Sequence, residues 1–285
     1  MLRRALRLLQ RLIVFAVGLV SVWLIVDVFR FVDHRVPTIL AVSLTYAIGA
    51  YVILPNAVRM GLKILQQRHV PSFTITGDGL PGDPVNIALA GTLDQLRSAF
   101  ATAGWVEADR LTLVSSWKMA RAFVLNQPYP TAPFSTLYLF GRGQDIGFQK
   151  AIDNSPRKRH HVRFWAQNLA AAQSGANTLE FWLNTDRPNE DDHVLWVGAG
   201  TRDTGFSLTR LTFQITHATA SDTDLERSFI VEELTRCGAI SGATLYKEGE
   251  QLRSGRVNHY VTDGEVAIAE IASTPQTRNT ALLTS

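Results

Sequence analysis

Two apolar runs dominate the start of the chain. Leu12 to Val26 (LIVFAVGLVSVWLIV) carries no charge, and taken across Asp27 to Phe29 it approaches the ~20 residues with which a helix crosses hydrocarbon. Val36 to Val58 (VPTILAVSLTYAIGAYVILPNAV) is uncharged throughout, with Pro37 where a first helical turn tolerates it. Joined by RFVDHR, the runs predict a transmembrane helical hairpin within residues 1–70. A cleavable signal peptide also pairs a basic start with an apolar run. No A-x-A-like site follows here, however, and a second run comes directly after, so a retained anchor is expected.

Behind Arg68 the pattern changes. VPSFTITGDGLPGDPVN is rich in Gly, Pro and Asp and reads as a linker into a soluble domain over residues 72–272. NIALAG has strand character. Thr92 then caps a helix whose Leu93, Leu96, Phe100 and Ala103 share one face, with Gln95 completing a capping box and Gly104 ending it. Ser116 to Leu125 predicts a second helix, followed by the proline-broken loop NQPYPTAPF. STLYLFGR, DIGFQKAI, HHVRFWAQ, HVLWVGAG and RLTFQITHA alternate or are β-rich between Gly, Asn and Asp breaks and predict strands. Ser221 to Cys237 predicts a third helix, with Leu225, Phe229 and Leu234 among its apolar positions and Gly238 as its stop. ATLYKEG and a hairpin, HYVTDGEVAIAEI, turning at Asp263-Gly264, close the domain. Residues 273–285 have little to pack and are expected to be disordered. The order predicts an α+β domain, with a largely antiparallel sheet and about three helices, behind an N-terminal two-helix transmembrane hairpin.

Composition narrows the classes. A hydrophobic content of 46% over 285 residues is enough for a real core. The single cysteine, Cys237, excludes an intramolecular disulfide and any multi-cysteine zinc or iron-sulfur site; at an apolar helix end it reads as a packed small hydrophobe. A net charge of +3 is small for this length and argues against a nucleic-acid partner. Its distribution matters more. Arg3, Arg4, Arg7 and Arg11 precede the first run and Arg59, Lys63 and Arg68 follow the second, against Arg30 and Arg35 between them, so both ends are expected in the cytoplasm. Asp27, three residues before Arg30, reads as a headgroup-level pair rather than part of an ion pathway, and Tyr46 and Tyr51 as packing or interfacial residues.

Several stretches then become recognisable together: GDPVNIALAG, TAPFSTLYLFGRGQDIGFQK, SPRKRHHVRFW, LWVGAGTRDTG and ITHATASDTDLER. Collectively they resemble the LssY-like C-terminal domain, a bacterial family also found behind DedA-like or phosphatidic-acid-phosphatase-type membrane domains. The likeness runs from Gly77 to Ile271, and RHHVRFW at Arg159 to Trp165 is its most distinctive string. It implies a bacterial inner-membrane setting and brings no established activity with it. The stretch over 166–192 is longer than the family pattern implies and reads as an insertion.

Two clusters carry candidate chemistry. If HHVRFW is a strand, His161, Arg163 and Trp165 share one face and His160, Val162 and Phe164 the other. Arg163 could then hold a phosphate by charge-assisted hydrogen bonds, with an imidazole placed for proton transfer. His217, Asp222, Asp224, Glu226 and Arg227 form the second cluster. They could hold a divalent metal, but Ser221 with Asp224, or Thr223 with Glu226, fits a helix capping box better, so no metal is assigned. His161, Arg163, Trp165, His217, Asp222 and Arg227 are thus the candidate ligand-binding residues. His193 and His259 remain without an assigned role. GAGTRDTG and GRGQDIG lack the dinucleotide fingerprint, no established catalytic motif is present, and no cofactor is named by the sequence. The reading favoured is a membrane-anchored binding or regulatory module for an anionic ligand, a lipid headgroup or a membrane protein partner. The alternative is a hydrolase of phosphate-containing lipid, with His161 as acid or base, Arg163 as charge stabiliser and His217 or Asp222 in support.

Overall fold

The computed structural model describes residues 2–65, 70–125, 127–153, 158–167, 188–189, 191–208, 215–247, 252–253 and 260–273. Most of the insertion over 166–192, the tail beyond Ser273, and His259 lie outside the described residues.

The apolar start folds as a hairpin. Helix α1 (Leu2–Asp33) turns through Pro37 into α2 (Thr38–Ile48), which continues through a π-helical turn (Gly49–Ile53) into α3 (Leu54–Leu65). Its apolar stretches, Leu8–Asp33 and Thr38–Leu65, are long and apolar enough to cross a membrane. Phe15, Leu19, Trp23 and Ile39 point outward, where water would disfavour them and lipid would not. The two arms pack against each other: a Cβ on Gly49 would make ordinary contact with Ile25 at 3.4 Å, and one on Gly61 with Val14 at 3.5 Å.

The remaining elements are β1 (Phe73–Ile75), β2 (Pro81–Pro84), β3 (Ile87–Gly91), α4 (Leu93–Thr102), β4 (Val106–Glu107), α5 (Leu113–Val124), β5 (Tyr138–Leu139), β6 (Arg142–Gly143), β7 (Ile146–Ala151), β8 (Arg159–Gln167), β9 (Val194–Leu208), β10 (Ile215–Thr219), α6 (Thr223–Arg236), β11 (Thr244–Lys247), β12 (Leu252–Arg253), β13 (Val261–Thr262) and β14 (Glu265–Glu270). The main sheet runs β11-β14-β3-β9-β8-β7-β4, with β10 folded back on β9. Every pairing in it is antiparallel except β14 with β3, so the largely antiparallel α+β domain behind a two-helix hairpin is what forms.

Helices α4 and α6 cover one face of this sheet, burying Ile87, Leu89, Phe164, Trp196, Ile230 and Leu234, with Phe100 stacked on Phe148 at 4.4 Å. The capping box of α4 is present: Gln95 N donates to Thr92 Oγ1 at 3.2 Å, and Thr92 N to Gln95 Oε1 at 2.8 Å. On the other face a four-stranded sheet, β2-β1-β5-β6, packs through Val85, Leu137 and Leu139 onto Trp165, Val197 and Ala199.

Four local expectations are corrected. The Gly/Pro/Asp-rich stretch after Arg68 is not all linker, because β1 and β2 pair within it and β1 also pairs with β5. STLYLFGR is two short strands, since Phe140 and Gly141 both take positive φ (54° and 75°) and make a two-residue hairpin turn. The second helix starts at Leu113 rather than Ser116: Thr112 Oγ1 accepts from Ser115 N at 3.1 Å while Ser115 Oγ accepts from Thr112 N at 2.8 Å, a reciprocal cap. In α6, Leu225 is exposed, because the buried stripe runs through Glu226, Arg227, Ile230, Glu233 and Leu234.

Candidate functional site

Strand β8 alternates as its sequence requires. Arg159, His161, Arg163 and Trp165 face the small sheet, opposite Asp203, Thr201, Ala199 and Val197 of β9. Cross-strand pairing therefore sets Arg159 against Asp203 and His161 against Thr201. Arg159 Nε donates to Asp203 Oδ2 at 2.8 Å, and its Nη1 reaches the Ala132 carbonyl at 3.2 Å and the Gln149 side-chain oxygen. Arg163 Nη1 donates to Asp83 Oδ2 at 2.5 Å and to His161 Nε2 at 2.7 Å. A guanidinium can only donate, so Nε2 is the acceptor and a neutral imidazole carries its proton on Nδ1. That nitrogen lies 3.1 Å from Asp203 Oδ1, off the line of a good hydrogen bond. Thr201 Oγ1 is 2.8 Å from Nε2. Tyr260 donates to Asp83 Oδ1 at 2.5 Å and accepts from Thr219 at 2.8 Å. Phe134 closes the cluster from above, its ring 4.9 Å from both guanidinium carbons and 5.2 Å from the imidazole.

The electrostatics balance inside the fold. Two guanidinium groups face two carboxylates, all of them buried. Burial opposes the charge on Asp83, but Arg163 beside it, with His161 and Tyr260, holds the carboxyl below its usual value. Burial lowers Arg159, and Asp203 offsets part of that effect. The Tyr260 hydroxyl is pushed well above its ordinary value by burial and by Asp83, so it remains a donor. Besides His161 Nδ1, which faces Asp203, two donors in this layer have no hydrogen-bond partner among the described residues: Arg163 Nε and Trp165 Nε1. A buried donor without an acceptor costs about 1–3 kcal/mol and calls for a reason.

An apolar cavity of about 190 Å³ shares part of its wall with the cluster around Trp165. Val70 and Pro71, just behind the second long helix, roof it, and Val85, Val197, Val266 and Ile268 line it. Val85 and Val197 belong to the same packed cluster as Trp165, and Pro84, also on its wall, follows Asp83 directly.

The other expected residues go elsewhere. Asp222 is the N-cap of α6, accepting from Asp224 N and Leu225 N at 3.1 Å each; the cap is Asp222 itself rather than the box expected from Ser221 or Thr223. Arg227 grips the β13–β14 turn, donating from Nη1 and Nη2 to Asp263 at 2.7 and 2.8 Å and to the Glu265 carbonyl at 2.7 Å. That fork holds the Asp263 carboxyl down to about 2. Neither residue bonds to His161 or Arg163 among the described contacts. His217 sits on β10 opposite Phe206, and the expectation for its side chain falls outside the described residues. His160, on the opposite face of β8, meets Glu226 at 2.9 Å and stacks on Phe229 at 4.1 Å, while His193 is exposed. Cys237 packs against the helical core, and among the described residues no group of three His, Cys, Asp or Glu forms a metal site.

Asp203, His161 and Thr201 stand in the order of a carboxylate–imidazole–hydroxyl relay. The geometry is closed for that purpose: all three are buried, and Nε2, which would have to take the hydroxyl proton, already accepts from Arg163. A hydrolytic role would need both the base and its substrate face open. What the arrangement does provide is a buried layer of paired charges, with Arg163 Nε and Trp165 Nε1 lacking partners among the described residues, packed against residues that also line an apolar cavity. Asp83, Asp203, Thr201, Tyr260 and Phe134, absent from the sequence-based candidates, complete it. The alternation of β8 announced its face, but these partners come from segments read as linker, loop, failed nucleotide motif or, for Tyr260, the closing hairpin.

No curated protein and no solved structure matches the chain. A family described as the LssY C-terminus matches residues 67–266, from the foot of the second long helix through nearly the whole of both sheets. With that match over well over half its length, and with two membrane-length helices ahead of it, the chain is a membrane-associated member of the LssY C-terminus family.

Proposed function

We propose that this protein is a membrane-anchored binding module for an anionic amphiphile, a fatty acid or lipid, whose chain enters the cavity while its headgroup oxygen accepts from Trp165 Nε1 and Arg163 Nε. The apolar pocket carries this reading: Val70 and Pro71, the segment leaving the membrane helices, line it, and Val85 and Val197 on its wall pack in one cluster with Trp165, whose Nε1 has no hydrogen-bond partner among the described residues. An apolar cavity of about 150 Å³ already takes a benzene-sized guest, so this one suits a chain segment rather than a whole lipid. His161 then acts through Arg163, holding its guanidinium toward Asp83. Asp222 and Arg227 support the wall indirectly, through α6 and the β13–β14 turn. Residues 1–70 form the anchor and 72–272 the binding domain.

The test uses the full chain in nanodiscs and a decanoate analogue carrying a photoreactive group at its chain end. Crosslinks should map to Val85, Val197 or Ile268. Val266→Trp, which fills the cavity from a half-buried wall position, should remove them. Trp165→Phe keeps an aromatic side chain but loses the pyrrole ring and its donor; labelling should weaken roughly tenfold or more, the value of a hydrogen bond to a charged group. Crosslinks confined to the two long helices, or unchanged by Val266→Trp, would overturn the proposal.

The proposed setting is the bacterial inner membrane with both termini in the cytoplasm, supported by the arginine-rich flanks outside the hairpin. A compartment-sensitive reporter fused after Ser285 should report the cytoplasm. An outer-compartment signal would reject this topology.

A further inference from the structure

Helix α5 is packed with its small polar side inward. Ser115, buried, bonds back to the Arg110 carbonyl at 2.7 Å, and Ala122 is its other buried residue among those described. The large apolar residues face out: Leu113 is 92% exposed, Trp117 72% and Val114 66%, with Leu111 and Leu125 exposed at its ends. Single exposed apolar side chains need no explanation, but a contiguous set on one helix does. Arg110, Lys118 and Arg121 are exposed on the same segment, and no acidic residue lies between Arg110 and Leu125. At 100° per residue, Leu113, Trp117, Arg121 and Val114 fall in one quadrant or close to it, so cations and apolar groups interleave on the outward face.

Topology says where this face lies. Strand β4 runs antiparallel to β7, Val106 opposite Gln149 and Glu107 opposite Phe148, and Ala108 N then bonds to the Gly147 carbonyl at 2.9 Å. The chain therefore travels toward the start of β7 before entering α5. Strand β7 begins two residues after β6, and the β5–β6 turn just before it carries Gly141, which abuts α3: a Cβ there would lie 3.4 Å from Lys63 N and 3.6 Å from the Arg59 carbonyl. Helix α5 thus leaves the domain at the end that rests on the membrane hairpin.

We propose that α5 lies in the headgroup layer of an anionic bilayer as a third, interfacial membrane contact, with Leu113, Val114 and Trp117 inserted and Arg110, Lys118 and Arg121 at the phosphates. Its occupant is the lipid surface, chosen by the uniformly positive charge of the segment and by its place beside the membrane hairpin. This inference is independent of the cavity and its ligand.

The experiment labels Val114→Cys with an environment-sensitive fluorophore in a Cys237→Ala background of the full chain, reconstituted into vesicles. In phosphatidylcholine with phosphatidylglycerol, the label should be blue-shifted and quenched by lipids carrying spin labels near the headgroup. Changing Arg110, Lys118 and Arg121 to Gln one at a time should lower the inserted-to-free ratio roughly fivefold each, and vesicles of phosphatidylcholine alone, which remove all three attractions, should weaken insertion more than any single change. The label sits on an exposed position, so folding is checked independently by unchanged far-UV dichroism. A blue-shifted label that lipid quenchers do not reach, with crosslinks between Val114→Cys positions of two chains, would show a second copy covering the face. That result, or a fully solvated label, overturns the proposal.

Discussion

Replacing Asp83 by Asn should destabilise the domain by about 3–5 kcal/mol, the range found when one partner of a buried ion pair is removed. Asn keeps the shape and can still accept from Tyr260, but it leaves Arg163 charged, 4% exposed and without its carboxylate. The measurement is denaturant unfolding of the full chain in detergent, followed by tryptophan fluorescence. Arg163→Gln alone should also cost several kcal/mol, for the mirror reason. The double variant, Asp83→Asn with Arg163→Gln, should recover a large part of the loss, because two neutral amides replace two charges. A single-variant loss under about 1 kcal/mol, or strictly additive effects, would show that the pair is not coupled as described.

The pH dependence has a definite sign. The folded-state carboxyl of Asp83 is held below its ordinary value, so the pair's contribution is complete above the unfolded pKa of about 4 and is lost as pH falls below it. Wild type and Asp83→Asn should therefore differ most near neutrality and converge in acid, where protonated Asp83 resembles Asn. The structural consequence reaches the cavity. Asp83 ties β2 of the small sheet to β8 of the large one, and the next residues, Pro84 and Val85, form the cavity wall. Loss of the pair should loosen that wall before it unfolds the helical core, which lies on the opposite face of the sheet.

How much of this was legible in the sequence follows from how local each signal is. The apolar two-helix hairpin, the capping box at Thr92 and Gln95, and the alternation of HHVRFW are set by neighbours within a few residues, and all three appear in the structure. The partners of β8 are not local. Arg163 meets Asp83 across 80 residues, Arg159 meets Asp203 across 44, and Tyr260 reaches Asp83 across 177. No period or spacing encodes such a meeting; it arises from sheet order. Composition misled at the same places. The Gly/Pro/Asp content around Asp83 hides strands of three or four residues that are completed only by β5, far along the chain. His217 and Asp222 were grouped by closeness in sequence, yet Asp222 turns to its own helix end, where its carboxylate meets the two backbone donors that a helix start leaves free.

Phe134 and Gly147 should prove strongly coupled. Phe134, from the proline-broken loop, lies over both guanidinium groups, and it can do so because Gly147 on β7 has no side chain: an added Cβ would stand 2.8 Å from the Phe134 Cδ2 atom and closer still to Cε2. Truncating Phe134 to Ala should cost about 3–5 kcal/mol through lost packing alone, with lost cation–π contact and water reaching the paired charges adding to it. Gly147→Ala in the native background should cost about 1–3 kcal/mol, as the ring is forced off the cluster. In the Phe134→Ala background the same methyl group enters vacated space, so its cost should vanish or change sign. Denaturant unfolding of the four chains therefore closes a cycle with a coupling of roughly 1–3 kcal/mol, well above the ~0.5 kcal/mol scatter of independent sites. Additivity within that scatter would mean that the loop accommodates the methyl group without moving the ring. In that case Phe134 would not be the cover that keeps Arg159, His161 and Arg163 dry.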